Sequence, residues 1–226
     1  MARPKRDEQV PDLAVDIKEA AWQQIAADGT PALSLRAIAR RLGVTAPAIY
    51  HYFPSRDELV TALVIEAFNS LAEAQASATT STAEAFAQLQ AIGLSYRHWA
   101  ISNPQRYQLI FGAPLPGYQT RRKQVLRSSA HAIRELVSVI EVLRRLERLK
   151  SGKLPDVKIG DKAYYKQLQE TGIEADKLSL TVAVLIWSRL HGLVSLELSG
   201  SLPDVDGEAL LRYELSAIQK QFFRSE

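Results

Sequence analysis

The chain has 226 residues, of which 46% are hydrophobic and 23% charged, and a net charge of +3. This balance describes a globular protein with apolar residues enough for one sizeable domain or two modest ones. The absence of cysteine excludes disulfides, thiol catalysis and Cys-ligated metal, and it fits a reducing cytoplasm. Residues 1–12 are charged and lack the apolar stretch of a signal peptide, and no uninterrupted apolar run of about 18 residues suggests a membrane span.

The charge is spread unevenly. Residues 1–60 hold eight Lys/Arg and eight Asp/Glu, so any basic character there is local, with Arg3, Lys5 and Arg6 forming a basic arm. The most basic stretch, 121–150, carries nine Lys/Arg against three Glu and reads as one solvated helix face.

In chain order, a first helix is predicted over 12–27, where Leu13, Ile17, Ala21 and Ile25 recur every four residues and Asp28–Gly29 stops the run. Leu35, Ile38, Ala39 and Leu42 then fall at i, i+3, i+4 and i+7, with Ser34 placed to cap the helix and Gly43 to end it. Thr45 is a second N-cap candidate, and Pro47 sits in the first turn of the next helix, where a missing N–H costs nothing. Two short helices joined by a Gly-containing turn are a helix-turn-helix. Arg36 and Arg40 lie four apart on the face away from the apolar stripe. Tyr50, His51 and Tyr52 crowd the end of the second helix, and Arg56 follows in the first turn of the next. Cations and hydroxyls so arranged can grip phosphates and seat a helix in a major groove.

A fourth helix is predicted from the Pro54–Ser55 cap to about residue 76, with Ser55 and Glu58 as a capping box. It is long enough to pass from one domain into the next. Helices follow over about 82–101, from Asn103–Pro104 to Phe111, and over about 119–149, with a loop at Gly112–Gly117 and a weaker helix near 161–169. The segment 175–198 is apolar on nearly every side, which demands partners on both faces. The last helix, from Gly207, carries one stripe of Leu211, Leu215, Ile218 and Phe222. These two helices suggest a four-helix interface between two copies of the chain, formed by Leu185, Leu193, Leu211, Leu215, Ile218 and Phe222.

The helix-turn-helix residues, together with Gly43–Val44, Ile49–Tyr50, Tyr52–Phe53 and Ser55–Arg56 followed by Glu58–Leu59, resemble the DNA-binding domain of the TetR family of bacterial repressors. Arg56 stands where the family more often has lysine. In the second half, Tyr96–Ala100, Asn103–Pro104, Tyr107, Leu109, Phe111 and the W-x-x-x-H-G run Trp187–Gly192 resemble one TetR C-terminal class. The resemblance implies an all-α protein: a three-helix helix-turn-helix domain over 1–54, a linking helix over 55–76, and a larger helical ligand-binding and dimerisation domain over 77–226.

It implies further a homodimer that binds palindromic double-stranded DNA as a repressor and is released by a small molecule. Ser34, Arg40, Tyr50, Tyr52 and Arg56 are expected at phosphates. Arg36 is the best candidate to read a base, since arginine pairs bidentately with guanine. Thr45, Ala46, Pro47, Ala48 and His51 present the rest of the recognition face. For the ligand, a pocket of Tyr96, Trp99, Tyr107, Phe111, Trp187 and His191 is expected, suited to an apolar or planar compound. An enzyme is the rival class, but the four histidines lack metal-ligand spacing and no nucleophile elbow, phosphate loop or dinucleotide fingerprint is present. No metal or cofactor is expected. The remaining alternative is an architectural DNA-binding protein without a small-molecule effector.

Overall fold

The computed structural model describes residues 13–80, 84–113, 118, 122–150, 166, 169–170, 172 and 175–224. The basic arm, residues 114–117 of the expected loop and nearly all of 151–173, with most of the weaker helix expected there, lie outside them. Among the described residues the protein is all-helical, with nine α-helices: α1 (Leu13–Asp28), α2 (Leu35–Leu42), α3 (Ala46–Tyr52), α4 (Arg56–Thr79), α5 (Ala85–Ser102), α6 (Pro104–Phe111), α7 (Arg122–Arg145), α8 (Lys177–Leu198) and α9 (Gly207–Phe222). A short 3-10 turn, Thr30–Ala32, precedes α2.

Helix boundaries follow local chemistry. Ser34 Oγ accepts the Ala37 N–H at 3.4 Å, and Gly43 ends α2 in the left-handed region at φ 67, which a residue with a Cβ adopts at a cost. Thr45 has the extended backbone of an N-cap but no side-chain capping bond, so its hydroxyl does not close α3 as expected. Ser55 Oγ accepts from Glu58 N at 3.2 Å. Carboxylates open the later helices: Glu84 caps α5, Asp176 caps α8 and Asp206 caps α9. The Asn103 amide donates to Trp99 O at 2.9 Å, closing α5 just before Pro104 begins α6. The start of α5 at Ala85 is about three residues later than the periodicity suggested, a difference ordinary for helix ends.

The chain divides into two compact units, Met1–Leu63 with Gly112–Thr120, and Val64–Phe111 with Arg121–Glu226. The boundary therefore falls inside α4 and not before it.

In the first unit, Ile17, Ala21 and Ile25 of α1 are buried with Leu35, Ile38 and Ala39 of α2 and Ile49 of α3. In the second, α5, α7, α8 and α9 pack around one core that holds Leu89, Ile92, Val137, Ile140, Leu143, Val182, Ala183, Ile186 and Leu190. Each such side chain contributes roughly 1.5–3 kcal/mol by leaving water. By length and mean hydropathy α8 could cross a membrane. Here its Leu180, Val182, Ala183, Ile186 and Leu190 belong to the helical core, which accounts for a helix apolar on several sides.

Leu211, Leu215, Ile218 and Phe222 of α9, expected at a subunit interface, are 0–5% exposed within this same core. A side chain already covered by its own chain has no surface to offer a partner, so these four are structural. The stripe was correctly seen as apolar, but its partner is α5 and α8 of the same chain. Leu185 and Leu193 remain half-buried. The C-terminus is pinned by an antiparallel bridge between Leu149 and Phe223, with Lys150 N donating to Phe222 O at 2.8 Å.

Gly93 of α5 marks a close approach of α5 to α8 and α9. A Cβ there would lie 2.8 Å from one Leu215 methyl and 3.4 Å from a Leu190 methyl. Gly93→Val should therefore destabilise the protein by about 1–3 kcal/mol through overpacking, measured as a lower urea midpoint. An unchanged midpoint would mean that α9 moves away freely.

Candidate nucleic-acid interface and ligand cavity

The first unit presents one polar face. Arg36, Arg40 and Arg41 of α2 are exposed, as are Thr45 and Pro47 at the start of α3 and Tyr50, His51 and Tyr52 at its end. Tyr50 and Tyr52 are 41% and 45% exposed, unusual for aromatic side chains on a helix whose Ile49 is fully buried. The His51 and Tyr52 rings meet edge to face at 5.4 Å. Ala46 and Ala48 are half-buried, and Ser34 is engaged in capping, its own N–H donating to Gln24 Oε1 at 3.1 Å. Three guanidiniums, two phenols and an imidazole thus share the surface of two short helices crossing at a glycine turn. Such a surface can neutralise phosphates while α3 enters a groove.

Arg56 differs from the sequence expectation of a phosphate contact. Its side chain is half-buried, with Nε donating to Leu33 O at 3.2 Å and Nη2 to Thr30 O at 3.0 Å. It clamps the first turn of α4 to the carbonyls ahead of α2. Arg56→Ala should destabilise the unit by about 1–3 kcal/mol, seen as an earlier thermal transition. A variant as stable as the parent would return Arg56 to the role of a surface cation.

In the second unit five of the six residues expected to line a pocket, Tyr96, Tyr107, Phe111, Trp187 and His191, come together, but not as one lining. His191 of α8 is the centre of a half-buried network. Tyr96 OH lies 2.7 Å from its Nδ1 and Tyr107 OH 3.3 Å from the same atom. Ser195 Oγ is 3.4 Å from Nε2 and 2.6 Å from Tyr107 OH. Burial lowers the His191 pKa, so the ring is neutral near pH 7. Burial, with Tyr107 beside it, pushes the Tyr96 phenol well above its usual range. A neutral imidazole accepting at Nδ1 and donating at Nε2 satisfies Tyr96 and Ser195 together, an assignment made from the network. Trp187 stacks on His191 at 4.8 Å, and Phe111 meets the imidazole edge to face at 4.9 Å. Trp99 points elsewhere: its indole N–H donates to Ser70 Oγ of α4 at 3.0 Å.

In front of this network lies a cavity of about 310 Å³, lined by Phe68, Leu71 and Gln75 of α4, Phe111 of α6, Ser129, Ala132 and Ile133 of α7, and Val184 and Trp187 of α8. Only Phe111 and Trp187 of the expected six reach it. Tyr96, Tyr107 and His191 form the packed wall behind. The α4 and α7 residues were missed because their periodicity is that of any core stripe, and a void between two such stripes leaves no sequence signal.

Comparison with known proteins decides the family. Residues 17–63 match the family described as bacterial regulatory proteins, tetR family, and residues 89–218 match the tetracyclin repressor-like C-terminal domain. The chain belongs to the TetR family. It is similar to the HTH-type transcriptional regulator Rv1816 of Mycobacterium tuberculosis, 32% identical over 200 residues that span 87% of this chain and 85% of that one. It also resembles the crystal structure of SCO4313, described as a regulatory protein, at 34% identity and a TM-score of 0.71, covering 91% of this chain and 94% of the other. A protein of unknown function from Rhodococcus sp. RHA1 shares the fold at 19% identity, with a TM-score of 0.76 and 97% and 100% coverage.

As a TetR-family protein the chain is a helix-turn-helix transcriptional regulator and not an enzyme. The family's DNA-binding match covers α2 and α3 in full, the helices that carry the exposed arginines and tyrosines. Its C-terminal match covers α5 to most of α9, including every α6, α7 and α8 residue of the cavity.

Proposed function

We propose that this TetR-family regulator is a cytoplasmic, ligand-responsive repressor that binds a palindromic operator as a homodimer and leaves it when a small apolar molecule fills the α4–α6–α7–α8 cavity. One observation carries the reading. The single helix α4 runs from the DNA-binding unit, where Arg56 clamps it, to the cavity wall, where it supplies Phe68, Leu71 and Gln75. On the same stretch of the helix, Glu66 pairs with Arg106 of α6 at 3.1 Å and Ser70 accepts from Trp99 of α5. A ligand that alters the packing of Phe68 or Phe111 acts on a rod whose other end holds the recognition helices. The ligand needs only to bind one α4 arrangement better than the other, by the free energy that separates DNA-competent from DNA-incompetent dimers. Recognition helices of a dimer must sit roughly 34–36 Å apart to fit successive major grooves.

For the DNA, Arg36 reads a base edge, Arg40, Tyr50 and Tyr52 hold phosphates, and Thr45, Ala46, Pro47, Ala48 and His51 face the groove. Ser34 serves through its cap. The dimer surface uses the exposed sides of α8 and α9, where Leu185 and Leu193 are half-buried, Leu196 is 45% exposed and Tyr213 is 74% exposed. The W-x-x-x-H-G run is the signature of this cavity wall, because Trp187 faces the void and His191 anchors it from behind.

The first test is selection of binding sites from random duplex DNA by the full-length protein. Enrichment of a palindrome with half-sites about one helical turn apart is expected. Enrichment without symmetry would overturn the dimeric-repressor reading in favour of an architectural role.

A further inference from the structure

Among the described residues, Gln75 in the cavity wall carries the one buried side-chain polar atom without a hydrogen-bond partner. It is 5% exposed, and its amide oxygen Oε1 has no hydrogen-bond partner. Buried amide oxygens are nearly always paired, and an unpaired one weakens the fold. Around it the wall is apolar and uncharged: Phe68, Leu71, Phe111, Ala132, Ile133, Val184 and Trp187. Ser129, the other polar residue there, already donates its hydroxyl proton to Leu126 O at 3.0 Å. Gln75 also stands on α4, two turns along from Phe68, so anything it holds is coupled to that helix.

We infer that Gln75 is the recognition point for a neutral, largely apolar effector bearing a hydroxyl group, which pairs with the amide while the rest of the molecule lies against Phe68, Phe111 and Trp187. The inference rests on the reading of this cavity as the effector site. A charged ligand is disfavoured because none of the described lining side chains carries a charge to balance it. A hydroxyl is favoured over a simple acceptor because it donates to Oε1. It would equally accept from Nε2 if the amide were turned over, so the proposal does not depend on that assignment. A cavity of about 310 Å³ limits the effector to a small molecule, such as a two-ring aromatic alcohol.

Equilibrium dialysis of the full-length protein against 2-naphthol and 2-methylnaphthalene tests this, since the pair differ in the hydroxyl and little in shape. The naphthol should bind about 5- to 10-fold more tightly, the worth of one net hydrogen bond. In Gln75→Leu that preference should vanish while 2-methylnaphthalene still binds. The variant should be at least as resistant to urea as the parent, because it removes an unpaired group. Val184→Trp, which fills the void, should lose both probes. Equal binding of the two probes to the parent protein, abolished by Val184→Trp, would overturn the role of Gln75 and leave the cavity as a ligand site. Binding of neither probe would overturn both. A Gln75→Leu protein less stable than the parent would show that the amide is paired before any ligand arrives, and would overturn the inference as well.

Discussion

Alanine at both Arg36 and Arg40 should weaken binding to the selected operator by roughly 30-fold to 10⁴-fold. The estimate takes about 1–3 kcal/mol per half-site for loss of the neighbouring arginine pair, counted together because the two are four apart on one helix face, and doubles it for a two-fold symmetric dimer. Both side chains are exposed on α2, while Leu35, Ile38 and Ala39 hold the helix in place. The thermal transition should therefore stay where it was. Plotted against the logarithm of salt concentration, affinity should flatten by about 2 units of slope, because the two Arg40 phosphate contacts of the dimer are gone. Fluorescence anisotropy across a salt series reads both quantities. The single variants divide the roles. Arg36→Ala should relax preference at one base pair per half-site, and Arg40→Ala should weaken all sequences alike. Equal losses on specific and random duplex for Arg36→Ala would make it a second phosphate contact.

Glu141 should prove the most sensitive charge in the second unit. It is 6% exposed on α7 and holds the start of α8. Ser179 Oγ donates to it at 2.8 Å, Asp176 N at 3.3 Å, and Arg144 and Arg145 of its own helix at 2.8–3.0 Å. Arg144 is the main cause that lowers its pKa to about 2; Ser179, Arg145 and the Asp176 N–H add to this, against burial that would raise it. Glu141→Ala leaves Ser179, itself fully buried, without that acceptor. The arginines are 35% and 63% exposed and can rehydrate. A loss of about 2–3 kcal/mol is expected, below the figure for a wholly buried pair.

The pH dependence has a definite sign. The folded-state value lies below the ordinary 4.5, so the stabilisation is complete above about pH 4.5 and disappears as the pH falls towards 2. Urea titrations at pH 7 and pH 3 should show the parent losing on the order of 1–2 kcal/mol that Glu141→Gln does not lose, after allowance for solvent screening by the exposed arginines. Equal acid sensitivity in the two proteins would place the titrating group elsewhere.

How much of this was legible beforehand differs between the two units. In the first, each feature is written within a few neighbouring residues: a hydroxyl at Ser34, a glycine able to take φ 67 at Gly43, an apolar stripe of period 3.6. Local steric and hydrogen-bonding rules suffice for such features. Arg56 escaped because its partners, Thr30 O and Leu33 O, lie more than 20 residues away, and main-chain carbonyls have no sequence signature.

In the second unit the sequence by itself determined that the chain is helical, roughly where its helices begin, and which faces are apolar. Those properties depend on capping groups and periodicity alone. Which apolar face meets which partner was decided by tertiary structure. Leu211, Leu215, Ile218 and Phe222 look the same in sequence whether they cover a neighbouring subunit or, as here, the protein's own α5 and α8. Likewise, Tyr96, Tyr107 and His191 could be named from their residue types, yet only packing made them a closed network behind the cavity and not its lining. Gln75 had no distinguishing sequence feature at all. Its significance comes from what four helices fail to place beside its amide oxygen, and an empty space is a property of the assembled helices that no single segment encodes.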